Sequence, residues 1–464
     1  MSAPAPARHE HWFRAVWRWH FYAGIFCVPF ILWLSVTGGI YLFKPQIEGW
    51  LYAPYTHVAQ PGVPMLAPEG IVAAGTRAVP GSVLHKYVLP EAPDDAVQLL
   101  VGTGAEETRV WVHPQTGQVL KAVPEEARFM RVIFRLHGEL LAGDRGSALV
   151  EIAACWTIVM ILTGLFLWWP RGRKGKGPGG ILWPRLGAGK RVFWRDMHAV
   201  TGLWVSIGAV FLIASGLPWA KNWGDYLKQV RVATGTAAGR QDWSAGSAAD
   251  AAARADLDKG ARSMLDEHAG HHGMSMAHVA PAGPALDRVV VKAMTLGLAA
   301  PAEVSPPTRP GGRWLARSQA EDRTRRVSVE IGEDGAVIGS QGFGDRHWID
   351  RAVGFGVAVH EGAWLGLLNQ LANLTILMGL VTLAVSSLVL WWRRRSPGRL
   401  GAPAAKDPLR HSWALVGLTV MLGLLMPLFG ITLAIAAAFE LGARRMAPGL
   451  ARWLGLRAPV ENVT

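Results

Sequence analysis

The sequence predicts a mainly α integral membrane protein, with about five transmembrane helices in a duplicated two-helix arrangement and two small α+β domains outside the membrane. Three observations carry this. Half of the 464 residues are hydrophobic, high for a soluble protein. Five apolar runs, 21–43, 149–169, 199–219, 371–392 and 413–439, have the length of a bilayer span, about 20 residues. Landmarks also recur in register between the two halves. Arg18-Trp19-His20-Phe21-Tyr22-Ala23-Gly24 opens one run, and Arg195-Asp196-Met197-His198-Ala199-Val200-Thr201-Gly202 opens another. Each reaches a further small-residue site 18 positions after its histidine, at Gly38 and Gly216. His137 lies 31 and 32 residues before Trp168-Trp169, and His360 lies 31 and 32 before Trp391-Trp392.

The chain divides accordingly. Residues 1–43 are an N-terminal segment and first span, and 44–148 a first external domain. A second span, 149–169, leads to a basic loop at 170–197 and a third span at 198–219. The second external domain is 220–370, with an insert at 233–285. A fourth span, 371–392, a basic loop, 393–412, a fifth span, 413–439, and a tail, 440–464, complete it. The first run is too long for a signal-peptide core, and Lys44-Pro45-Gln46 follows where small residues would mark cleavage, so it reads as an uncleaved anchor. Many of the 22 tryptophans mark run ends, as in an interfacial aromatic belt.

Net charge is +13, and its location gives it meaning. Residues 170–197 hold eight Lys/Arg and one acid; 393–412 hold six and one. The segments 44–148 and 220–370 are nearly balanced, at 9 basic against 11 acidic and 17 against 17. Basic short loops stay in the cytoplasm. The expected protein therefore crosses the bacterial inner membrane several times, with a cytoplasmic N-terminus and both long segments periplasmic. The excess charge meets anionic lipid rather than nucleic acid. A fifth span puts the tail outside with Arg444, Arg445, Arg452 and Arg457, against the charge rule. Cys27 and Cys155 lie in apolar runs and are too few for a disulfide framework or a zinc site.

Within 67–120, a helical stretch at 68–79 precedes alternating segments at 85–89, 97–101 and 108–112, a turn at 113–117 and a short segment at 118–120. The other half repeats the order: helix 287–298, strands 314–318 and 326–331, a turn at 332–335 and strand 336–338. Residues 233–285 are rich in Ala, Gly, Ser and Asp and read as a mobile insert with a helix at 248–267. Its 268–278 stretch places His268, His271, His272, Met274, Met276 and His278 within eleven residues. That donor set suits a soft or borderline metal such as copper; the alternative is a solvated linker.

Polar side chains at membrane depth are costly and have partners. A neutral histidine gives one ring nitrogen to a metal. Four histidines at duplicated membrane boundaries point to axial haem ligation, where two imidazoles leave no open position and suit electron transfer. A two-fold relation along the membrane normal pairs His20 with His198 and His137 with His360, giving two haems b. Gly24 and Gly202 lie one turn beyond His20 and His198 on the same helix face, where a missing side chain admits a flat macrocycle. A straight 32-residue helix would be about 48 Å long, so breaks are expected near Asp144-Arg145-Gly146 and among Gly362, Gly366 and Asn369. Glu139 and Glu361 are candidate partners for the outer imidazoles, and His411 is a reserve ligand.

The chain resembles the PepSY-associated transmembrane family, which includes iron-regulated inner-membrane proteins and ferric-siderophore reductases. The residues that carry the resemblance are Trp19-His20-Phe21-Tyr22-Ala23-Gly24, Ser35-Val36-Thr37-Gly38-Gly39, Phe134-Arg135-Leu136-His137-Gly138, Trp168-Trp169-Pro170-Arg171 and Trp194-Arg195-Asp196-Met197-His198. It implies PepSY-like domains outside, haem in the membrane, and electrons passed from the cytoplasm to a periplasmic acceptor such as ferric siderophore iron. Relatives that resemble fusions carry a flavin reductase domain. No G-x-G-x-x-G follows a strand here, so a separate cytoplasmic donor is expected. The competing readings are a non-enzymatic PepSY sensor or regulator, and a copper-handling membrane protein that uses the His/Met insert.

Overall fold

The computed structural model describes residues 8–169, 179–237, 247–272, 283–309, 311–395, 397–402 and 413–456. They form two compact units: a helical unit from Met1–Gly39, His137–Leu227 and Leu371–Thr464, and a sheet unit from Ile40–Leu136 and Lys228–Gln370.

The helices are α1 (Arg8–Leu42), α2 (Lys44–Tyr52), α3 (Pro68–Ala78), α4 (Phe129–Glu139), α5 (Gly143–Trp168), α6 (Lys190–Gly216) and α7 (Lys221–Ala233). Then come α8 (Ser247–His272), α9 (Gly283–Met294), α10 (Trp348–His360), α11 (Leu367–Trp392), α12 (Trp413–Leu425), α13 (Pro427–Met446) and α14 (Pro448–Trp453). Among the described residues five helices are long and apolar enough to cross a membrane: Phe13–Leu42, Gly143–Trp168, Lys190–Trp219, Leu367–Trp392 and Pro427–Met446. The first four cover the spans read from the sequence to within one residue. Both expected breaks are present. Leu140 and Leu141, at φ 52° and 58°, separate α4 from α5, and Gly362 and Gly366, at φ 77° and 55°, separate α10 from α11. The left-handed region suits glycine, so the second break follows from sequence more directly than the first.

The fifth span differs from expectation. α12 has 13 residues, about 20 Å at a helical rise of 1.5 Å per residue, short of a bilayer core of about 30 Å. The chain bends at Met426-Pro427, and Gly423 and Gly430 come into contact across the bend. Pro427 lacks an N–H and starts a new helix more readily than it continues an old one. The bend lies beside α7, where Trp223 Nε1 and the Tyr226 hydroxyl donate to the carbonyls of Leu425 and Leu424 at 2.9 and 3.0 Å. α13 then runs to the opposite end, where Glu440 meets Arg18 of α1. The tail stays there: the Tyr22 hydroxyl donates to the Leu454 carbonyl, and the Leu400 N–H donates to Trp453 at 2.9 Å. The 413–439 run is thus two helices, and residues 440–456 lie at the same end of the unit as Arg18, not at the far end.

Apolar packing joins Cys27, Val28 and Ile31 of α1 to Ala384 of α11, and Cys155 of α5 to Met426 and Phe429. A buried carboxylate interrupts this apolar surface. Glu151 of α5 accepts the N–H groups of Asn222 and Trp223 at 3.1 and 3.2 Å, while Ser147, one turn earlier, accepts that of Lys221 at 3.1 Å. These are the orphan donors at the start of α7, so the acid caps a helix.

In the sheet unit eight antiparallel strands run in the order β4-β3-β2-β1-β5-β6-β7-β8. They are β1 (Val83–Leu89), β2 (Val97–Thr103), β3 (Glu106–Val112), β4 (Val119–Pro124), β5 (Ala302–Ser305), β6 (Trp314–Ser318), β7 (Val327–Ile331) and β8 (Val337–Gly342). Each half is a helix followed by a four-stranded meander: α3 before β1–β4, α9 before β5–β8. The sequence predicts two separate domains; the structure joins them through β1 and β5, with Tyr87 opposite Val304 and Leu89 opposite Ala302. One apolar core runs through both halves, from Ile71 and Val72 of α3 and Val289 and Val290 of α9 to Leu99, Val110, Val304, Ala316 and Ile331. Pairing covers two strand edges that separate domains would expose.

α8 extends the expected helix of the insert and anchors it to β1 and β3. His85 of β1, fully buried, holds Glu107 of β3 at Nδ1, 2.9 Å, and Asp258 of α8 at Nε2, 3.3 Å. Gly102 of β2 leaves room for the ring, since a Cβ there would overlap the imidazole.

Candidate cofactor site

His20 stands on α1 and His198 on α6, and the helical unit brings them together. Their ring centroids are 6.3 Å apart with planes at 80°. Each ring is fixed through Nδ1. His20 Nδ1 lies 3.0 Å from the Thr163 hydroxyl of α5. That hydroxyl also lies 2.8 and 3.0 Å from the carbonyls of Val159 and Met160, to either of which it can donate. His198 Nδ1 lies 3.2 Å from the Leu383 carbonyl, which only accepts, and 3.2 Å from Ser386 Oγ. The Ser386 hydroxyl donates to the same carbonyl at 3.0 Å. The Leu383 carbonyl makes His198 the Nδ1–H tautomer, and His20 has a backbone hydrogen bond with Met160 beside its Thr163 contact. Among the described residues, Thr163 and Met160 bond the His20 ring, and Leu383 and Ser386 the His198 ring.

His137, at the end of α4, repeats the arrangement. Its Nδ1 lies 3.0 Å from the Thr37 hydroxyl of α1, which donates to the Trp33 carbonyl at 2.9 Å. The glycine after each threonine gives the ring its place. A Cβ on Gly164 would stand 3.1 Å from His20 Cε1, and one on Gly38 3.0 Å from His137 Cε1. So α1 and α5 exchange contacts: a Thr-Gly step on α5 receives a histidine of α1, and a Thr-Gly step on α1 receives one from α4.

The Gly24 and Gly202 positions are looser. A Cβ on Gly24 would sit 3.8 Å from Met160 Sδ, and one on Gly202 3.5 Å from Leu383 Cδ2, both ordinary contact distances. Neither glycine is required by the packing of protein on protein. Beside the site, Asp196 is buried and accepts from Arg185 Nε at 2.8 Å and from Arg195 at 2.5 Å, which fastens the preceding loop to the start of α6.

His360 closes α10 in the sheet unit, and its pairing with His137 rests on the sequence alone. α10 is held by a bidentate ion pair of Arg231 with Asp350, both contacts at 2.7 Å. Glu361 faces Arg323 at 3.6 Å, and Glu139 is buried. His268, His271 and His272 fall on the last turns of α8, whereas Met274, Met276, His278 and His411 lie outside the described residues. His57, Asp94 and Asp95 gather on loops of the sheet unit. Hydrogen bonds of His57 with both acids account for that cluster without a ligand.

Sequence reasoning missed the hydroxyl partners, although their spacing repeats as strictly as that of the histidines. Thr163 and Ser386 each stand five residues before the first Trp of a pair. Thr37 and Ser215 each follow their histidine by 17.

The family model of the PepSY-associated TM region matches residues 17–394, well over half of the sequence, and the chain belongs to this family. No curated protein matches it.

Proposed function

We propose that this PepSY-associated membrane protein is a haem-containing reductase of the bacterial inner membrane. It takes electrons from a separate cytoplasmic donor and passes them to a periplasmic metal acceptor, foremost ferric siderophore iron. The observation that carries this reading is the His20–His198 pair. Two imidazoles that shared one metal ion, each about 2 Å from it through a ring nitrogen, would have centroids roughly 6 Å apart. The 6.3 Å between the His20 and His198 rings meets that requirement. Metal-bound histidines usually donate their other N–H to an oxygen, as both do here. Gly24 and Gly202 remove side chains where protein packing does not need the space.

Haem held by two histidines supplies one-electron transfer with no open coordination position. The chain's own groups do the rest. Thr163 and Met160 hold the His20 ring and the Leu383 carbonyl holds that of His198, and α1, α5, α6 and α11 keep both rings within an apolar bundle. A second haem b, on His137 and His360, is proposed from the duplication. The orientation with a cytoplasmic N-terminus rests on the charge of the 170–197 and 393–412 loops.

A second reading concerns copper. His268, His271 and His272 recur at i, i+3 and i+4 in the sequence, a donor spacing that suits a borderline metal. Absorbance of the detergent-purified protein separates the possibilities. A reducible b-type spectrum that His20→Ala and His198→Ala each diminish is expected. A colourless wild-type preparation favours the non-enzymatic sensor.

A further inference from the structure

Resting on the haem reading, we infer that Arg191 of α6 and Arg394, just past the end of α11, form an anion clamp for the propionate carboxylates of a haem held by His20 and His198. Three helices converge there. Arg191 precedes His198 by seven residues, two turns along the same face of α6. Trp17 precedes His20 by three on α1, again on one face. The Arg394 guanidinium lies over the Trp17 ring, 4.8 Å from its centroid. Arg394 is also near enough to act electrostatically on His198, as Arg191 does on Arg394. Two guanidinium groups thus stand beside the histidine pair.

Their lack of an acid sets these two apart. Other arginines of the helical unit have one: Arg18 and Arg444 share Glu440, at 3.4 and 2.5 Å, and Arg185 and Arg195 share Asp196, at 2.8 and 2.5 Å. Among the described residues neither Arg191 nor Arg394 has a carboxylate partner, and each repels the other. Lost hydration, and after it that repulsion, push the Arg394 guanidinium below its ordinary value. Like charges gathered at a membrane boundary are stabilised by an anion between them. Both residues are exposed, so a carboxylate can reach them. Haem b brings two carboxylates on one edge of an otherwise apolar ring, and the planar fork of arginine matches a carboxylate through paired N–H bonds. Trp17 adds a cation–π contact that keeps Arg394 in place.

Haem dimethyl ester, the same macrocycle with both carboxylates blocked, is the probe. Haem-free protein in neutral detergent should bind haem roughly 10–100-fold more tightly than the ester, the range for hydrogen bonds to a charged group. Arg394→Gln and Arg191→Gln should each narrow that gap while ester binding stays unchanged, which also shows the fold intact. Arg395→Gln removes the same charge from a side chain that instead packs 3.8 Å from the Trp392 ring centroid, and should leave the gap as it is. Arg394→Gln should also lower the reduction potential of the bound haem, since a nearby cation favours the less positive ferrous state. Equal binding of haem and ester by wild type, or a gap that both glutamine variants keep, overturns the assignment. So does a gain in retention on adding phosphatidylglycerol that is equal for haem and ester and is lost in Arg394→Gln, which would make a lipid phosphate the anion. A wild type that takes up neither macrocycle overturns the haem reading, and with it the propionate role.

Discussion

Arg18 of α1 and Glu440 of α13, 422 residues apart in the chain, lie 3.4 Å from each other. The pair fixes where α13 ends. α13 finishes beside the start of the first helix, and Arg444 holds the same carboxylate. Arg444, Arg445 and Arg452 therefore belong to the end of the unit that carries Arg18. The conflict that a fifth straight span creates with the charge rule disappears once the 413–439 run is divided.

Topology follows. Reporter fusions at Gly177 and after Thr464 should report the same side, the cytoplasm, and a fusion at Gly246 the periplasm. Periplasmic activity from the C-terminal fusion, with Gly177 cytoplasmic, would contradict the returning α13. Periplasmic activity at Gly177 would invert the orientation argued from charge.

Gly24→Ala should act in opposite directions on the empty and loaded protein. Its Cβ meets only Met160 Sδ, at 3.8 Å. Alanine in a helix interior is favoured over glycine by roughly 0.5–1 kcal/mol. Haem-free protein should become slightly more heat-stable, while haem content falls. Equal haem content at saturation would remove the glycine from the cofactor's surroundings.

Deleting 268–278 should leave haem content and the sheet unit intact, since α8 is anchored earlier, by Asp258 to His85 and by Arg254 to Glu126. Copper binding should fall and ferric-siderophore reduction should persist. Unchanged copper affinity after deletion would return the segment to a plain linker.

Acid should weaken the sheet unit at Glu125. Burial pushes this carboxyl up, but Arg109 at 2.8 Å and Arg128 at 2.7 Å outweigh it and hold it at about 2, below the usual 4.5. A depressed carboxylate stabilises the fold above its unfolded value and loses that contribution as pH falls toward its folded value. A shift of this size corresponds to ~3 kcal/mol at neutral pH. Glu125→Gln should therefore lower stability by up to that order at pH 7, with the gap to wild type narrowing from pH 5 to pH 3. Hydrogen exchange of β3 and β4 in the full chain reads this directly; a pH-independent gap would assign the loss to packing.

Much of this molecule was legible in its sequence. Runs of about 20 apolar residues located four spans because the bilayer tolerates little else. Period-two alternation found 314–318 to the residue and most other strands within a few positions. β5 escaped, being only Ala302-Glu303-Val304-Ser305, too short to alternate visibly. Fusion of the two meanders also escaped, because edge pairing is a tertiary choice that neither strand encodes alone. In the candidate site the histidines stood out as rare residues at membrane depth. Thr163 and Ser386 did not, since hydroxyls in such helices commonly bond their own backbone one turn back. Only the structure shows which of them face an imidazole.

The β1–β5 seam has a consequence for biosynthesis. Leu89 is made long before Ala302, its partner, leaves the ribosome. Between them the chain must place both α5 and α6. The first meander therefore waits with one edge open until two more helices are delivered, and the sheet cannot close during translation of the first half. Late-paired edges are where growing chains mispair and aggregate. The two halves of the sheet therefore mature only together.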